Sequence, residues 1–347
     1  MTDLDEVLER FQRGALEYGG GLSNHGPMAA EALVALGHPA LLTGLVDLYA
    51  PRLPPFEPGK RLSEAERAAA IGETRRAADW VATWEHELAA RDWQEVLHEA
   101  LRWLAPGLFA AAGHGWLRVA HAVRALGRSD TEPRRRELAF GLGYWASAYH
   151  PLPGEPGRVP ARPAVEVLQN LAPVDVARQR PGSFDDRVRV LADEPGFAAA
   201  IESADFGAGD PLSSVEALCR EGARLYRSHP ADRIAYAHAV TVPSAVRLVA
   251  PWTDDDTVRR LVGYAFQSAA ALHAISSRGD ATLETVPGVS GEVEALARTP
   301  EEIRYRAACS LHEHAIKLAE ACLREDALAP DPELRLAAAD AALLLEG

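Results

Sequence analysis

The sequence contains the segment W93-Q-E-V-L-H-E-A-L-R-W-L104, whose apolar residues recur at the spacing of an α-helix. Intervals of three and four residues place these side chains on one face of a helix. The pair Pro106-Gly107 follows after one residue and is typical of a helix end. The apolar face consists of Trp93, Val96, Leu97, Ala100, Leu101 and Leu104. The segment is therefore predicted to be an amphipathic helix that packs against other elements.

The same helical spacing recurs along most of the chain. Ala, Leu, Glu and Arg are frequent, whereas the Val, Ile and Thr alternation of strands is almost absent. Further helices are predicted at residues 29–36, 62–88, 115–126, 134–148, 215–226, 258–275, 300–324 and 331–345. No convincing strand pair or hairpin turn interrupts this series. The sequence therefore predicts an all-α fold, a large multi-helix bundle.

Two proline-rich stretches separate these helices, at residues 49–61 and 150–163. Each holds too many prolines for a helix. The second is either a linker between domains or a crossover along the surface of one bundle, and a loop of this length can also cover a pocket. We prefer the crossover, because candidate functional segments lie on both sides of it. We therefore predict a single all-α domain over residues 1–347.

Composition limits the partners of the chain. Its 36 Lys and Arg against 50 Asp and Glu give a net charge of −14, which repels phosphate backbones and predicts no nucleic-acid partner. The first residues lack a signal-peptide pattern, and no apolar run approaches the ~20 residues of a membrane span. Three cysteines do not form a disulfide framework. We expect a soluble, cytoplasmic protein with no membrane partner.

Four histidines lie at or near the start of short apolar segments: N24-H-G-P-M28, G113-H-G-W-L117, A237-H-A-V-T241 and E313-H-A-I-K-L318. Imidazole is the commonest protein ligand for transition metals, and histidines from several helices of a bundle can meet in its interior. His314 and Lys317 are three residues apart and share a helix face. The alternative for each histidine is a hydrogen-bonded core residue. The spacing alone leaves both interpretations open.

These segments resemble the questin oxidase-like family, whose fungal members oxidise anthraquinone-type polyketides. The resemblance covers essentially the whole chain, and its distinctive matches are residues 24–28, 114–118, 238–241 and 313–318. It implies a mononuclear non-haem iron, Fe²⁺, held between helices by four histidines and one lysine that is carboxylated on its side-chain nitrogen. Carried over, the metal ligands are His25, His114, His238, His314 and Lys317. A carbamate would supply the anionic oxygen that a carboxylate supplies in other iron sites.

Two residues of the predicted helix at 115–126 are given catalytic roles. His121 lies two turns after His114, where fungal relatives tend to carry an aromatic residue, and could support the ligands or replace one. Arg118 stands where some relatives have histidine and could position an anionic oxygen of the substrate. A salt bridge on the bundle surface is the alternative for Arg118.

The resemblance implies an oxidoreductase, a non-haem iron oxygenase that uses dioxygen. The substrate would be a small aromatic, polyketide-like ketone or quinone, oxidised by Baeyer–Villiger-type insertion or ring cleavage. Trp116, Tyr144, Trp145 and Tyr149 are candidate walls of its cavity, or simply core residues. One alternative is a zinc-dependent hydrolase at the same site. The other is a non-enzymatic helical module that binds an apolar ligand or a partner protein.

Overall fold

The structure, a computed structural model, describes residues 3–179, 181–276 and 289–345. Helices dominate these ranges, which confirms the predicted all-α fold. The chain divides into two compact units, Met1–Pro151 with Leu248–Thr257 and Leu152–Arg247 with Val258–Gly347. Among the helices in the described ranges, none combines the length and hydrophobicity that a membrane span requires.

The first unit consists of helices packed on helices. α5 and α7 both pack on α8, and α2 packs on α1 and α7. A short antiparallel pair joins β1 (Glu17–Tyr18) to β2 (Leu22–Ser23), although the sequence predicted no strand pair. The helices are α1 (Leu4–Phe11), α2 (Gly26–Ala35), α3 (Leu42–Tyr49), α4 (Glu64–Ala70), α5 (Ala77–Ala90), α6 (Trp93–Leu104), α7 (His114–Arg128) and α8 (Glu132–Ser147).

Helix α6 has the bounds that its apolar spacing predicts. The side chain of Asp92 accepts a hydrogen bond from the Gln94 amide and caps the helix start. All six residues of the predicted apolar face are buried. A 3₁₀ turn over Ala105–Gly107 ends the helix at the predicted proline and glycine. Local propensity and packing therefore agree in this segment.

Two predicted helices are broken in the structure. The helix expected at 62–88 is split into α4 and α5, because Gly72 adopts a left-handed conformation with φ of +74° and its amide donates to the Ala146 carbonyl. The helix expected at 300–324 is split at Leu311, which has φ of +51°. Both predictions were wrong about continuity, since a left-handed residue beside extended ones, such as Ile71 and His312, interrupts a helix without disturbing its apolar spacing.

The second unit also consists of packed helices. α12 packs on α13 and α19, and α18 packs on α13 and α19. Helices α14 and α15 each contain residues of both units. The helices are α9 (Ala164–Gln169), α10 (Phe184–Arg187), α11 (Pro195–Ser203), α12 (Pro211–Ser228), α13 (Arg233–Ser244), α14 (Val246–Val249), α15 (Asp255–Ser276), α16 (Val289–Leu296), α17 (Pro300–Cys309), α18 (Glu313–Leu328) and α19 (Pro332–Leu344).

The proline-rich stretch at 150–163 contains a boundary between the units, after Pro151. Its remainder is hydrogen-bonded to the second unit: the Val159 and Ala161 amides donate to the carbonyls of Glu202 and Ser203. Strand β3 (Arg162–Pro163) then pairs in parallel with β4 (Ala204–Asp205). The stretch is thus an ordered segment of the second unit from residue 152 onward, while the single domain over 1–347 stays a prediction.

A buried ionic network joins α2 to α7 in the first unit. Glu31, on α2, is 2% exposed and accepts hydrogen bonds from His121, Arg124 and Arg128 on α7. Burial acts to raise the pKa of Glu31, but Arg124 and His121 outweigh it and lower the pKa to about 2. The ionised Glu31 carboxylate therefore links α2 to α7 through buried ion pairs.

We predict that this network makes the protein sensitive to acid. The folded pKa of Glu31, about 2, lies below the ordinary 4.5, so its contribution is complete above pH 4.5 and is lost as the pH falls towards 2. The contribution is about 3 kcal/mol. Glu31→Gln should lower the free energy of unfolding at neutral pH by roughly that amount and flatten its decline in acid, measured by urea unfolding at several pH values.

The exposed carboxylate Glu9, on α1, provides the control. Glu9→Gln should leave the unfolding free energy within about 0.5 kcal/mol of the parent at each pH. An acid profile of Glu31→Gln that matches the parent would show that Glu31 is not the stabilising charge.

Candidate metal centre

In the first unit, His25 and His114 lie at the starts of α2 and α7. His25 is the residue before α2, and the Asn24 side chain accepts a hydrogen bond from the Gly26 amide. His114 is the first residue of α7. Both imidazoles are buried, with 5% and 7% exposure. Since α2 packs on α7, the two helix starts bring these residues together.

The hydrogen bonds of this pair fix the proton on each ring. The Nδ1 atoms of His25 and His114 lie 2.5 Å from the carbonyl oxygens of Ser23 and Ala111, respectively. A carbonyl oxygen only accepts, so each Nδ1 carries a proton and donates it. In the neutral ring the Nε2 atom then holds a lone pair. A backbone carbonyl on the other nitrogen is the usual orientation device of a metal-binding histidine.

The two Nε2 atoms face each other at 2.8 Å. Two lone pairs at this distance repel, unless a proton or another cation lies between them. Adding a proton would create an imidazolium in a buried position, where a charge costs free energy. A metal ion accepts both lone pairs and removes the repulsion. The pair could therefore supply two nitrogen ligands to a metal ion.

A left-handed backbone segment precedes His114. Ala111, Ala112 and Gly113 have φ values of +51°, +55° and +84°. This region costs an L-residue roughly 1–2 kcal/mol, so two alanines in succession are strained. The segment turns the Ala111 carbonyl towards the His114 ring, to which it is hydrogen-bonded. Leu311, the other non-glycine residue with positive φ in the described ranges, lies three residues before His314.

In the second unit, His238 on α13 and His314 on α18 form another pair. Their ring centroids are 5.5 Å apart, and these two helices pack together. The Nδ1 of His238 donates to the Ile234 carbonyl, 2.6 Å away, which leaves Nε2 with its lone pair. Burial and the nearby Lys317 lower the pKa of His238 to about 4, so this ring is neutral at ordinary pH. Its protonation state suits a metal ligand.

Lys317 lies on α18 with this second pair. It is 2% exposed, and its Nζ atom has no hydrogen-bond partner among the described residues. Burial lowers the pKa of Lys317 to about 7, although the Glu313 carboxylate acts to raise it. An uncompensated ammonium is unfavourable in such surroundings. Lys317 is thus a buried amine that a hydrogen bond or a covalent modification of Nζ would stabilise.

The two residues before His314, which are His312 and Glu313, are less buried than Lys317. His312 is half-buried and caps the helix, where its ring accepts from the Ala315 amide at 3.4 Å. Glu313 lies 3.7 Å from the Nδ1 of His314. Together with His314 these residues form a second group of nitrogen and oxygen donors with greater exposure. The cap role of His312 favours His314 as the inward residue of the two.

The two residues that were given catalytic roles have carboxylate partners. Arg118 is 1% exposed and donates to both oxygens of Glu137 on α8, at 2.5 and 3.0 Å. It therefore forms a salt bridge, and this bridge is buried instead of lying on the surface. His121 donates from Nδ1 to Glu31 at 2.8 Å. Their catalytic roles stay predictions, while these contacts give each a part in joining helices.

The predicted aromatic wall is distributed over different surroundings. Trp116 and Trp145 are fully buried, with ring centroids 5.5 Å apart, and the Trp145 indole donates to the Gly107 carbonyl. These are core contacts. Tyr144 instead lines a cavity of about 320 Å³ in the first unit, with its hydroxyl bonded to Glu17 and Ser23. Tyr149 is half-buried. Of the four, only Tyr144 lines this cavity.

The sequence reasoning missed the groups that orient the histidines. The carbonyls of Ser23 and Ala111 carry no side-chain signal, since any residue offers a carbonyl. Tyr49, whose hydroxyl accepts from the His25 amide at 2.9 Å, reads in the sequence as an ordinary core residue. Glu31 was detectable, because it is the one charged residue within the apolar segment that forms α2.

We predict that relief of backbone strain before His114 stabilises the metal-free protein. Ala112→Gly should raise the free energy of unfolding by about 1 kcal/mol, because glycine adopts positive φ at little cost. The neighbouring Ala110 has helical dihedrals, so Ala110→Gly should lower it by about 1 kcal/mol. Urea unfolding after removal of metal measures both. Equal losses in the two variants would contradict the strain.

Comparison with known proteins adds no assignment to this geometry. The chain matches no protein-family model. A search of curated proteins likewise found no significant match. The chemical interpretation of the site therefore rests on its residues.

Proposed function

We propose that this chain is a metal-dependent enzyme in which His25, His114, His238 and His314 together bind one transition-metal ion. Each residue offers one ring nitrogen, and the four form one candidate ligand set. The observation that carries the proposal is the 2.8 Å approach of the Nε2 atoms of His25 and His114. Structural zinc sites use four protein ligands, whereas catalytic ones usually keep three and an open position, so four imidazoles are enough for either.

The donor set supports a transition metal over Ca²⁺ or Mg²⁺. Imidazole nitrogen suits Zn²⁺, Fe²⁺, Cu²⁺ and Ni²⁺, whereas the alkaline-earth ions select oxygen ligands. Three of the four rings have Nδ1 bonded to a backbone carbonyl, at Ser23, Ala111 and Ile234. These bonds leave Nε2 as the nitrogen of each ring that could bind a metal ion.

Lys317 is the proposed fifth ligand, as a carbamate. Its neutral amine attacks carbon dioxide, an N–C bond forms, and a proton leaves to solvent, which yields an anionic oxygen donor. The support is steric and polar: Nζ is fully buried near His238 and lacks a hydrogen-bond partner among the described residues. The added anion would offset part of the metal charge, as a carboxylate ligand does.

We propose iron as the ion and oxygenation as the reaction, with a small aromatic, polyketide-like substrate. This finer assignment is supported by the resemblance of the four histidine segments and of Lys317 to the questin oxidase-like pattern. A bound ferrous ion would supply the activation of dioxygen. The chain's own residues would hold the ion, keep its ligands neutral and exclude water. Arg118 and His121 act here by fixing α7 against α8 and α2.

We predict that metal content depends on both histidine pairs. The purified protein, reconstituted anaerobically with ferrous iron, should hold one equivalent, measured by elemental mass spectrometry. His25→Ala and His238→Ala should each lose most of it, because losing even a hydrogen-bond partner of a ligand costs about 10–100-fold in affinity, and losing the ligand itself costs more. His86, which is exposed on α5, is the matched control, and His86→Ala should keep the metal.

The same measurement separates the alternatives. Zinc at one equivalent after expression, with no dioxygen consumption by the iron-loaded protein on aromatic ketones, would favour a hydrolase at this site. Full metal retention in both His25→Ala and His238→Ala would contradict the shared site. Absence of bound metal in the parent protein would leave a helical ligand-binding module as the better description.

The carbamate gives a separate prediction. Isotopically labelled bicarbonate should produce a carbamate carbon signal in the nuclear magnetic resonance spectrum of the zinc-loaded protein, and Lys317→Met should abolish it. The variant should retain its helical content, since methionine fits a buried position of similar length. A signal that persists in Lys317→Met would assign the carbamate to another amine.

A further inference from the structure

A cavity of about 320 Å³ opens in the first unit beside α8. Its floor includes the buried residues Leu16 and Tyr144, and Phe56 forms an apolar side wall. The Phe56 ring is itself held by Phe140, with centroids 4.7 Å apart. Ligand pockets span roughly 300–1,000 Å³, so this volume suits a ligand with a single ring. It is small for a fused three-ring compound.

The polar group at the base of this cavity is an incompletely compensated carboxylate. Glu17 is half-buried and accepts a hydrogen bond from the Tyr144 hydroxyl at 2.8 Å. Within the part of the chain that the structure describes, no arginine or lysine forms a salt bridge with Glu17. The neutral phenol of Tyr144 donates one hydrogen bond to the carboxylate but does not neutralise its negative charge. The carboxylate is therefore prepared to accept a charged donor.

The charges at the cavity rim do not supply that donor. Arg75 lines the rim, but its side chain is 82% exposed and pairs with Glu73 at 3.2 Å. Glu57, an exposed residue of the rim, adds a second negative charge. The charged side chains that line the cavity therefore carry a net negative charge. The Glu17 carboxylate would repel an anionic ligand and attract a cationic one.

We infer that this cavity binds a protonated amine attached to a single aromatic or apolar ring. The ammonium would donate to Glu17, and the ring would lie against Phe56 and Leu16. Tyr144 holds the carboxylate in place, since its hydroxyl bonds both Glu17 and the Ser23 hydroxyl at 2.8 Å. Phe56 supplies apolar area, and aromatic rings contribute strongly to the binding of flat ligands.

The cavity is connected to the histidine pair of the same unit. Ser23, which is bonded to Tyr144 through its hydroxyl, offers its carbonyl to the Nδ1 of His25. Ala111, whose carbonyl orients His114, packs in one cluster with Leu16 and Tyr144. A ligand in this cavity would therefore lie beside residues that orient the proposed metal ligands. Its binding requires no metal and is testable without it.

Isothermal titration calorimetry with phenethylamine, phenethyl alcohol and phenylacetate tests the inference on metal-free and metal-loaded protein. The three probes share a ring and differ in charge. The amine should bind at least about tenfold more tightly than the alcohol, because its ammonium adds the attraction of opposite charges to the hydrogen bond that either probe can donate to Glu17. Phenylacetate should bind more weakly than either. Preference for the anion, or no binding by any probe, would overturn the inference.

Two variants locate the interaction. Glu17→Gln keeps the shape and should reduce the affinity for the amine about tenfold, to that of the alcohol, whose affinity is unchanged. Glu57→Gln is the control on the rim and should change the amine affinity by less than about threefold. Equal amine affinity in the parent and Glu17→Gln would assign the ligand elsewhere. Loss of metal with amine binding retained would reject the proposed function alone.

Discussion

The close approach of two buried imidazole nitrogens is the constraint on which the site depends. The Nε2 atoms of His25 and His114 lie 2.8 Å apart, and the carbonyls on their Nδ1 atoms leave both with lone pairs. Nothing in an apolar core favours this arrangement by itself. It becomes favourable when a cation is shared, and a metal ion provides one without the cost of a buried imidazolium. The first unit is organised to impose this approach.

Several features of the first unit hold the rings in place against their repulsion. Gly115 lets α7 approach α8, because an added Cβ would lie 2.6 Å from the Cα of Trp145. The Glu31 network ties α2 to α7, and the left-handed turn at Ala111 and Ala112 aims a carbonyl at His114. The turn costs free energy through backbone strain, and burial of Glu31 costs desolvation that its ion pairs outweigh. Such costs are typical of sites whose geometry is set before the ligand binds.

The fold class and the site residues differ in how far the sequence determines them. Apolar spacing predicts α6 to the residue, because burial of one face and the flanking cap decide it locally. The break at Leu311 was missed, since positive φ at a leucine has no sequence signature. The histidines were found from their residue type and segment starts. Their orientation was not, because it depends on carbonyls of Ser23 and Ala111 that only the tertiary structure positions. The surroundings of Arg118 likewise required knowledge of Glu137, 19 residues away on another helix.

We propose that one metal ion joins two histidine pairs from different parts of the chain. The test is a crystal structure of iron-loaded protein, with anomalous diffraction measured on both sides of the iron absorption edge. We expect a single anomalous peak about 2.1 Å from the Nε2 atoms of His25 and His114, with His238 and His314 completing the ligand set. A peak bound by one pair alone, or two separate peaks, would contradict it.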